Sequence, residues 1–406
     1  MPESTMRSRD DAWAVRRENE EMTINVDATI RERPLPDVKR DIRARAGHRN
    51  PLEGIRPEDA EKVAESLASL DGDEWARAWS EWGHNYEAEG DALAKKGGDR
   101  NALRERYLLS FNYFRVARYP CPTTPGKETA YRNSLRVFRK AAQHFDPPLE
   151  IVEIPFEGKS LIGYLQLPRG VPRPPVVMHW GGVDGWKEDR TRAHGAMHEA
   201  GLAGFAVDMP GTGENPVIYT DPRAERTFSA FIDYLLTRKD LDATRLGVWG
   251  GSYGGYWAAK LAFVEAKRLK GAVFHGSNVH YGFQEKWLRP ALTERASAAI
   301  MGPRQLFESR ARAMGVKSLE EFLEVAPRLS LLTQGLLDRP SAPLLGVNGK
   351  LDDQAPVEDI YLLMEHGNPK EARIYPEGGH MGRGGGVKDD EIRDLIVQWL
   401  KLRLSQ

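Results

Sequence analysis

The sequence predicts an α/β protein in which a mostly parallel, helix-covered sheet follows an N-terminal helical region. Two observations carry this prediction. Before about residue 146 the apolar side chains recur at helical spacing, and after it short apolar runs alternate with helical stretches. Such alternation is typical of parallel strands that are joined by helical crossovers and are buried on both faces.

Length and composition set the outer limits of the interpretation. At 406 residues the chain exceeds the usual size of one domain, so we expect two. Its 58 basic and 59 acidic residues nearly cancel, which leaves no charge excess to recruit nucleic acid or an anionic membrane. The single cysteine, Cys121, cannot form an internal disulfide, and there is no apolar run of about 18 residues. We therefore expect a cytoplasmic protein whose partner is a small molecule.

The part before the sheet divides into two predicted segments. Residues 1–50 are rich in Arg, Glu and Asp and are predicted to form a charged arm, whereas residues 51–148 are predicted to form a helical domain. Four aromatic residues of the helical domain share one helical face: Trp75, Trp79, Trp82 and Tyr86. Such a stripe is more often core than the wall of a pocket for a flat substrate.

The α/β domain is predicted over residues 149–406. It begins with an antiparallel hairpin, because alternate residues are apolar on both sides of the turn at Gly158. Six apolar runs then stand at the positions of parallel strands: Pro175–His179, Ala203–Asp208, Leu246–Trp249, Ala272–His275, Leu344–Val347 and Arg373–Tyr375. The stretch 277–341 is too long for a simple crossover, so we expect a cap-like insertion over the sheet.

The most informative motif is Gly250-Gly251-Ser252-Tyr253-Gly254, a G-x-S-x-G pattern between an apolar strand and an Ala-rich helix. In that context the pattern predicts a nucleophile elbow, a tight turn that holds the serine hydroxyl clear of the backbone. Ligands in such sheets lie beyond the carboxyl ends of the strands, which is where Ser252 falls.

A serine hydroxyl needs a base to become a good nucleophile, and the base needs an orienting acid. In sites of this kind the chain order is serine, acid, histidine. Four histidines follow Ser252, namely His275, His280, His366 and His380. We favour His380 as the base because it lies in a loop between the last predicted strand and the final helix.

For the acid we favour Asp352, which follows the run Leu344–Val347 in the spacing G-x-x-D-x-x-x-P. Asp353 is the alternative. A carboxylate at the tip of this strand can reach the histidine loop.

An oxyanion that forms on a substrate needs two backbone donors. We expect one to be the amide of Tyr253, directly after the serine. The other is expected from Val183, in the glycine-rich loop after the strand that ends at His179, with Gly182 as the alternative.

A metal site is not predicted. His194 and His198 lie one helical turn apart, with Glu199 beside them, but no third ligand has a recognisable spacing. We therefore expect neither a metal nor another cofactor.

Three motifs occur together in this chain: the Gly181–Glu188 loop (GGVDGWKE), the Asp208–Glu214 turn (DMPGTGE) and the elbow (GGSYGG). In this combination the chain resembles the α/β-hydrolases grouped with the fermentation–respiration switch protein, which include 2,6-dihydroxypseudooxynicotine hydrolase and fungal pigment hydrolases that shorten polyketides. The resemblance implies the α/β-hydrolase fold with an N-terminal helical domain. It also implies a triad of Ser252, Asp352 and His380, and a homodimer.

The resemblance implies two chemistries, because members of the group cleave either an ester or a carbon–carbon bond beside a ketone. The implied substrate is small and aromatic or polyketide-like. The nicotine-pathway member points to an extra glutamate after the nucleophile strand, and Glu285 is the nearest counterpart here. We therefore expect a serine esterase or carbon–carbon hydrolase with Glu285 as an accessory residue. The alternative is a regulatory or binding protein on a catalytically weak hydrolase fold.

Overall fold

Five helices precede the sheet in the computed structural model, which describes residues 24–295, 300–366 and 370–406. They are α1 (Leu35–Arg45), α2 (Pro57–Ser66), α3 (Gly72–Lys95), α4 (Arg100–Ala117) and α5 (Pro125–Ala142). The last three begin where a side-chain oxygen accepts hydrogen bonds from the first free amides, and the capping residues are Asp71, Asp99 and Thr124. These caps separate three long helices that pack against one another.

The aromatic stripe of α3 lies in the core of this helical region. Trp75 and Trp79 are fully buried, Tyr86 is buried and Trp82 is partly buried. The indole of Trp75 donates to the carbonyl of Val116 in α4 over 2.7 Å. The stripe therefore holds α3 against α4, as the core interpretation requires.

The structure replaces part of the predicted charged arm with α1. Val38 and Ile42 of this helix are fully buried in the core of the helical region. The helix is hard to read from the sequence because its apolar residues, Leu35, Val38 and Ile42, form only a short stripe among charged residues. Just before α1, the Asn25 amide donates to the Lys317 carbonyl over 2.7 Å, so this segment runs along the predicted insertion. Residues 1–23 of the arm lie outside the described residues.

The sheet of the described residues contains β1 (Leu149–Phe156), β2 (Lys159–Gln166), β3 (Pro175–Trp180), β4 (Ala203–Val207), β5 (Asp242–Gly251), β6 (Leu269–His275), β7 (Leu344–Gly349) and β8 (Lys370–Tyr375). Their order in space is β1-β2-β4-β3-β5-β6-β7-β8. β2 is antiparallel to β1 and β4, and the other neighbours are parallel. The strand that carries the elbow, β5, is therefore central, between β3 and β6.

Helices cover both faces of the sheet. One face packs on α7 (His194–Glu199) and the final helix α14 (Asp389–Leu404). The other packs on α8 (Arg226–Thr237), α9 (Gly255–Val264) and α13 (Glu358–Glu365). β3, β4 and β7 are buried along their whole length because both faces are covered. Among the helices of the described ranges, none is both long and apolar enough to cross a membrane.

The insertion between β6 and β7 contains α10 (Glu285–Thr293), α11 (Pro303–Met314) and α12 (Leu319–Val325), and its residues 296–299 lie outside the described part of the chain. One buried carboxylate fixes its start to α13. Asp359 accepts hydrogen bonds of 2.8 to 3.0 Å from four consecutive amides, those of Val279, His280, Tyr281 and Gly282. Asp359 therefore holds the first turn of the insertion against the sheet.

Candidate active site

Ser252 lies in the turn between β5 and α9, beyond the carboxyl edge of the sheet. Its φ of +53° is the left-handed backbone conformation of a strained strand-to-helix turn. A side chain at Gly250 or Gly254 would clash with the backbone of the turn or of the neighbouring loop. The indole of Trp180 donates to the Gly254 carbonyl over 2.8 Å and so supports the turn from β3.

The structure brings three of the predicted residues into one hydrogen-bonded chain. Ser252 Oγ lies 2.8 Å from His380 Nε2, and His380 Nδ1 lies 2.9 Å from Asp352 Oδ2. The carboxylate bonded to the imidazole is thus that of Asp352, the residue favoured over Asp353. The arrangement can pass a proton from the serine hydroxyl to the imidazole while the carboxylate orients the ring.

The Asp352 carboxylate is held in its charged form. Its side chain is fully buried, and burial raises the pKa of a carboxyl group. The His380 ring and the amides of Gln354 and Ala355, which donate to Oδ1 over 2.8 and 3.1 Å, outweigh burial and lower the pKa of Asp352 below its usual value. The ionised carboxylate favours the tautomer of His380 with its proton on Nδ1, so Nε2 can accept the proton of Ser252.

The other three histidines after the elbow have separate partners. His275 is buried, and its Nε2 lies 2.9 Å from the carbonyl of Met381. Burial lowers the pKa of His275 to about 3, so its ring is neutral. His280 bonds to a serine of the insertion, and His366 pairs with an exposed aspartate. The geometry therefore gives none of them the position that His380 holds.

Asn348, at the end of β7, joins the two loops that carry Asp352 and His380. Its amide nitrogen donates to the Ala355 carbonyl over 3.2 Å, and its oxygen accepts from the Met381 amide over 3.0 Å. No motif predicts this role. The one sequence feature that could indicate Asn348 is its place as a polar residue at the end of an apolar strand, because a buried polar group there needs hydrogen-bond partners.

The glycine-rich loop after β3 lies directly against the serine. A Cβ built on Gly182 would lie 3.0 Å from Ser252 Oγ and 3.1 Å from the Tyr253 amide nitrogen. In the described part of the chain neither the Gly182 amide nor the Val183 amide donates to a backbone carbonyl, and the Val183 carbonyl accepts from the Trp186 indole at 3.0 Å. Both amides are thus available as the second oxyanion donor beside Tyr253, and the choice of Val183 stays a prediction.

Lys187, the first residue of the short helix α6 (Lys187–Arg190), anchors this loop. Its fully buried ammonium lies 2.8 Å from Asp208 and 2.7 Å from Glu214. The Asp208 carboxylate also accepts from the amides of Lys187 and Glu214, each over 2.9 Å. These acidic motif residues therefore hold two loops together at the edge of the sheet, which is a structural role.

Glu285 does not join this arrangement. It is the first residue of α10 in the insertion, its side chain is 64% exposed, and it pairs with Arg289 over 2.9 Å. A solvated i, i+4 ion pair on a surface helix is an ordinary structural feature. The folded segment turns this side chain to the solvent, and the accessory role of Glu285 stays a prediction.

His194 and His198, both on α7, bond to groups of neighbouring strands: His194 is buried, whereas His198 is partly buried and its Nε2 lies 3.2 Å from the carbonyl of Gln166. His194 Nε2 lies 3.0 Å from His179 Nε2, and its Nδ1 lies 3.0 Å from the Gln166 side chain. Burial lowers the pKa of His194 to about 3, so its ring is neutral. Within the residues that the structure describes, no group of three or more His, Cys, Asp or Glu side chains is arranged to hold a metal ion.

The fold and the site geometry together define a class of protein. A serine on a strand-to-helix elbow, followed along the chain by an acid and a histidine beyond a mostly parallel sheet, is the arrangement of the α/β-hydrolases. The chain is an enzyme of that class. A family model described as esterase FrsA-like matches residues 13–374, and the chain belongs to that family.

Two relatives and one solved structure show the extent of the likeness. Esterase FrsA of Photobacterium profundum is 24% identical over 379 residues, which cover 87% of this chain and 86% of that protein. Hydrolase ORFZ of Pyricularia oryzae is 33% identical over 232 residues, which cover 50% of this chain and 54% of that protein, so the match spans about half of each. The crystal structure of a 2,6-dihydroxy-pseudo-oxynicotine hydrolase covers 90% of this chain and 95% of its own, with a TM-score of 0.72 at 20% identity. This last likeness shows a shared fold.

Proposed function

We propose that this chain is a serine hydrolase that works through an acyl-enzyme on Ser252. The observation that carries the proposal is the hydrogen-bonded chain from Ser252 Oγ through His380 to Asp352, with links of 2.8 and 2.9 Å. Family membership supports hydrolysis as the reaction class, because the matched family is described as an esterase.

The mechanism follows from these three side chains and the neighbouring amides. The proton of Ser252 passes to His380 Nε2 while Oγ attacks the carbonyl carbon of the substrate, and Asp352 stabilises the imidazolium. The amides of Tyr253 and Val183 stabilise the oxyanion, each by on the order of 3 kcal/mol. The tetrahedral intermediate then collapses, the leaving group takes the proton from His380, and the acyl group stays on Ser252. Water, activated by the same histidine, releases the acid.

The bond that breaks is either the C–O bond of an ester or a carbon–carbon bond beside a ketone. An alkoxide leaves in the first reaction and a stabilised carbanion in the second, and both take their proton from His380. The resemblance supports a small aromatic or polyketide-like substrate. A panel of aryl esters, β-diketones and acyl phenols, followed by product analysis, separates the two reactions, since turnover of esters alone would exclude carbon–carbon cleavage.

The central test replaces the nucleophile. We expect Ser252→Ala to lower kcat/KM at least about 10⁴-fold, because the removed hydroxyl forms the acyl-enzyme, with no loss of the folded state in thermal unfolding. A serine-reactive phosphonate should add its mass to Ser252 in the wild-type protein and to no residue of the variant. Normal turnover by the variant would show that Ser252 is not the nucleophile, whereas no adduct on the folded wild type would favour the binding-protein alternative.

A further inference from the structure

A cavity of about 220 Å³ lies beside the nucleophile. Ser252 and Gly182 line one part of it, and Arg190, the last residue of α6, lines another. This volume is below the roughly 300–1,000 Å³ of a typical whole-ligand pocket, so the cavity suits one part of a substrate. The charged side chains in the wall of the cavity indicate which chemical group of the substrate the cavity would hold.

Arg190 has no hydrogen-bonding partner for two of its nitrogens. Its Nε and Nη2 atoms are buried, and neither bonds to any group in the described part of the chain. The guanidinium lies over the ring of Trp249, 4.6 Å from the ring centroid, and this contact stabilises a cation without satisfying its N–H groups. Arg190 thus lines the cavity with two unsatisfied donors, which have almost no accessible surface and become available to a ligand only when the side chain turns toward the cavity.

The other charged side chains of the wall are already engaged. Arg115 and Arg192 both pair with Glu53, Arg383 pairs with Asp389, and Arg393 pairs with Asp390. Asp189 pairs with Arg115 and Arg118, and Asp184 accepts from the side-chain amide of Asn50. The charge of Asp189 acts on Arg190, and Asp189 Oδ1 has no hydrogen bond, but among the described residues no carboxylate lies within ion-pair distance of Arg190.

We propose that Arg190 forms a subsite for a carboxylate of the substrate, which places the class of substrate among esters or ketones that also carry an acid group. The proposal rests on the proposed function, because it takes Ser252 as the reacting group. A guanidinium fork binds a carboxylate through two parallel N–H···O bonds, so the incoming acid would bond to both unsatisfied donors at once.

The state of the side chain supports this subsite. Burial, and secondly the charge of Arg383, lower the pKa of Arg190 to about 10, so the guanidinium stays charged at neutral pH. A partly buried cation that forms no ion pair, and is only partly compensated by the charge of Asp189, destabilises the free protein. An anionic ligand would remove that penalty.

The kinetic test compares two aryl esters of equal chain length, the valerate ester and the monoester of glutarate. For Arg190→Met we expect kcat/KM to fall about 10- to 100-fold on the glutarate monoester, mainly through KM, because a charge-assisted hydrogen bond contributes about 1.5–3 kcal/mol. Arg190→Lys should recover part of this loss, and Arg190→Met should lower turnover of the valerate ester much less than that of the glutarate monoester, so that the ratio of the two esters changes. Arg393→Met, which removes a cation of the same wall that is already paired, is the matched control and should leave the ratio of the two esters unchanged.

A binding measurement separates this proposal from the proposed function. Glutarate should bind to Ser252→Ala in calorimetry, and the double variant Ser252→Ala/Arg190→Met should bind it at least about tenfold more weakly. Equal binding by the two proteins, no binding by either, or an equal loss on both esters would overturn the carboxylate subsite. Full activity of Ser252→Ala would instead overturn the proposed function, while the glutarate result would still report on Arg190.

Discussion

Two buried aspartates near the start of α13 show how one type of side chain can serve chemistry or folding. Asp352 bonds to the imidazole of His380, whereas Asp359 bonds to four consecutive backbone amides of the insertion. Burial raises the pKa of both carboxyl groups. The ring of His380, helped by two amides, reverses that shift for Asp352, whereas the four amides only reduce it for Asp359, whose pKa stays raised. A basic partner, and not burial itself, distinguishes the aspartate of the candidate site.

The largest expected effect is the loss of activity in Asp352→Asn. We expect kcat to fall about 10⁴-fold, because the neutral amide neither fixes the tautomer of His380 nor stabilises the imidazolium. Steady-state kinetics with an aryl ester measures the change, and circular dichroism controls for folding. If folded Asp359→Asn lost kcat to the same extent, the proposed difference between the two aspartates would be wrong.

The next effect is on stability, in Asp359→Asn. We expect the free energy of unfolding to fall by about 2–3 kcal/mol, because the new NH₂ group faces amides that then lack an acceptor. Urea unfolding measures this, with the exposed Asp338→Asn as the matched control. An unchanged midpoint for Asp359→Asn would show that the insertion is held by other contacts.

A smaller effect concerns the pH dependence of stability. The lowered pKa of Asp352 means that its ionised form stabilises the fold at pH values above its ordinary value of 3.8, and that this contribution is lost as the pH falls through the folded-state pKa. The raised pKa of Asp359 has the opposite sign, because its contribution is lost as the pH rises above 3.8 through its folded-state pKa. We therefore expect the free energy of unfolding that the wild type has in excess of Asp352→Asn to rise with pH. The corresponding excess over Asp359→Asn should fall with pH. Urea unfolding between pH 3 and 7 tests this, and equal slopes would contradict it.

The smallest effect is expected for Glu285→Gln. Because this glutamate forms an exposed ion pair with Arg289, its loss should change the free energy of unfolding by less than about 0.5 kcal/mol. Kinetics on esters and β-diketones should be unchanged. A selective loss of β-diketone cleavage would support the accessory role that the resemblance suggested.

The parts of the site that the sequence predicts are those that a local pattern encodes. Ser252 stands in a motif whose spacing describes one tight turn, and Asp352 and His380 follow from strand ends and chain order. The structure places these three within hydrogen-bonding distance, and their catalytic roles stay a prediction. The same holds for the domain limits, the homodimer and the cytoplasmic location.

The parts that the sequence does not predict depend on which distant segments meet. Asn348 and Asp359 contribute through backbone groups of other loops, and backbone groups leave no mark in the sequence. That two nitrogens of Arg190 lack hydrogen-bond partners can be recognised only from the positions of the neighbouring charged groups in the folded chain. The helix α1 shows the same limit, because Val38 and Ile42 become core residues only where the helical region covers them.

The positive φ of Ser252 carries a thermodynamic consequence. A residue with a side chain in this conformation lies roughly 1–3 kcal/mol above a relaxed backbone, and the indole bond from Trp180 to Gly254 is among the contacts that hold it there. A glycine at this position would relax the turn and stabilise the protein while it removed the hydroxyl that we propose as the nucleophile. A serine in this conformation therefore lowers stability, a cost that the proposed catalytic role would explain.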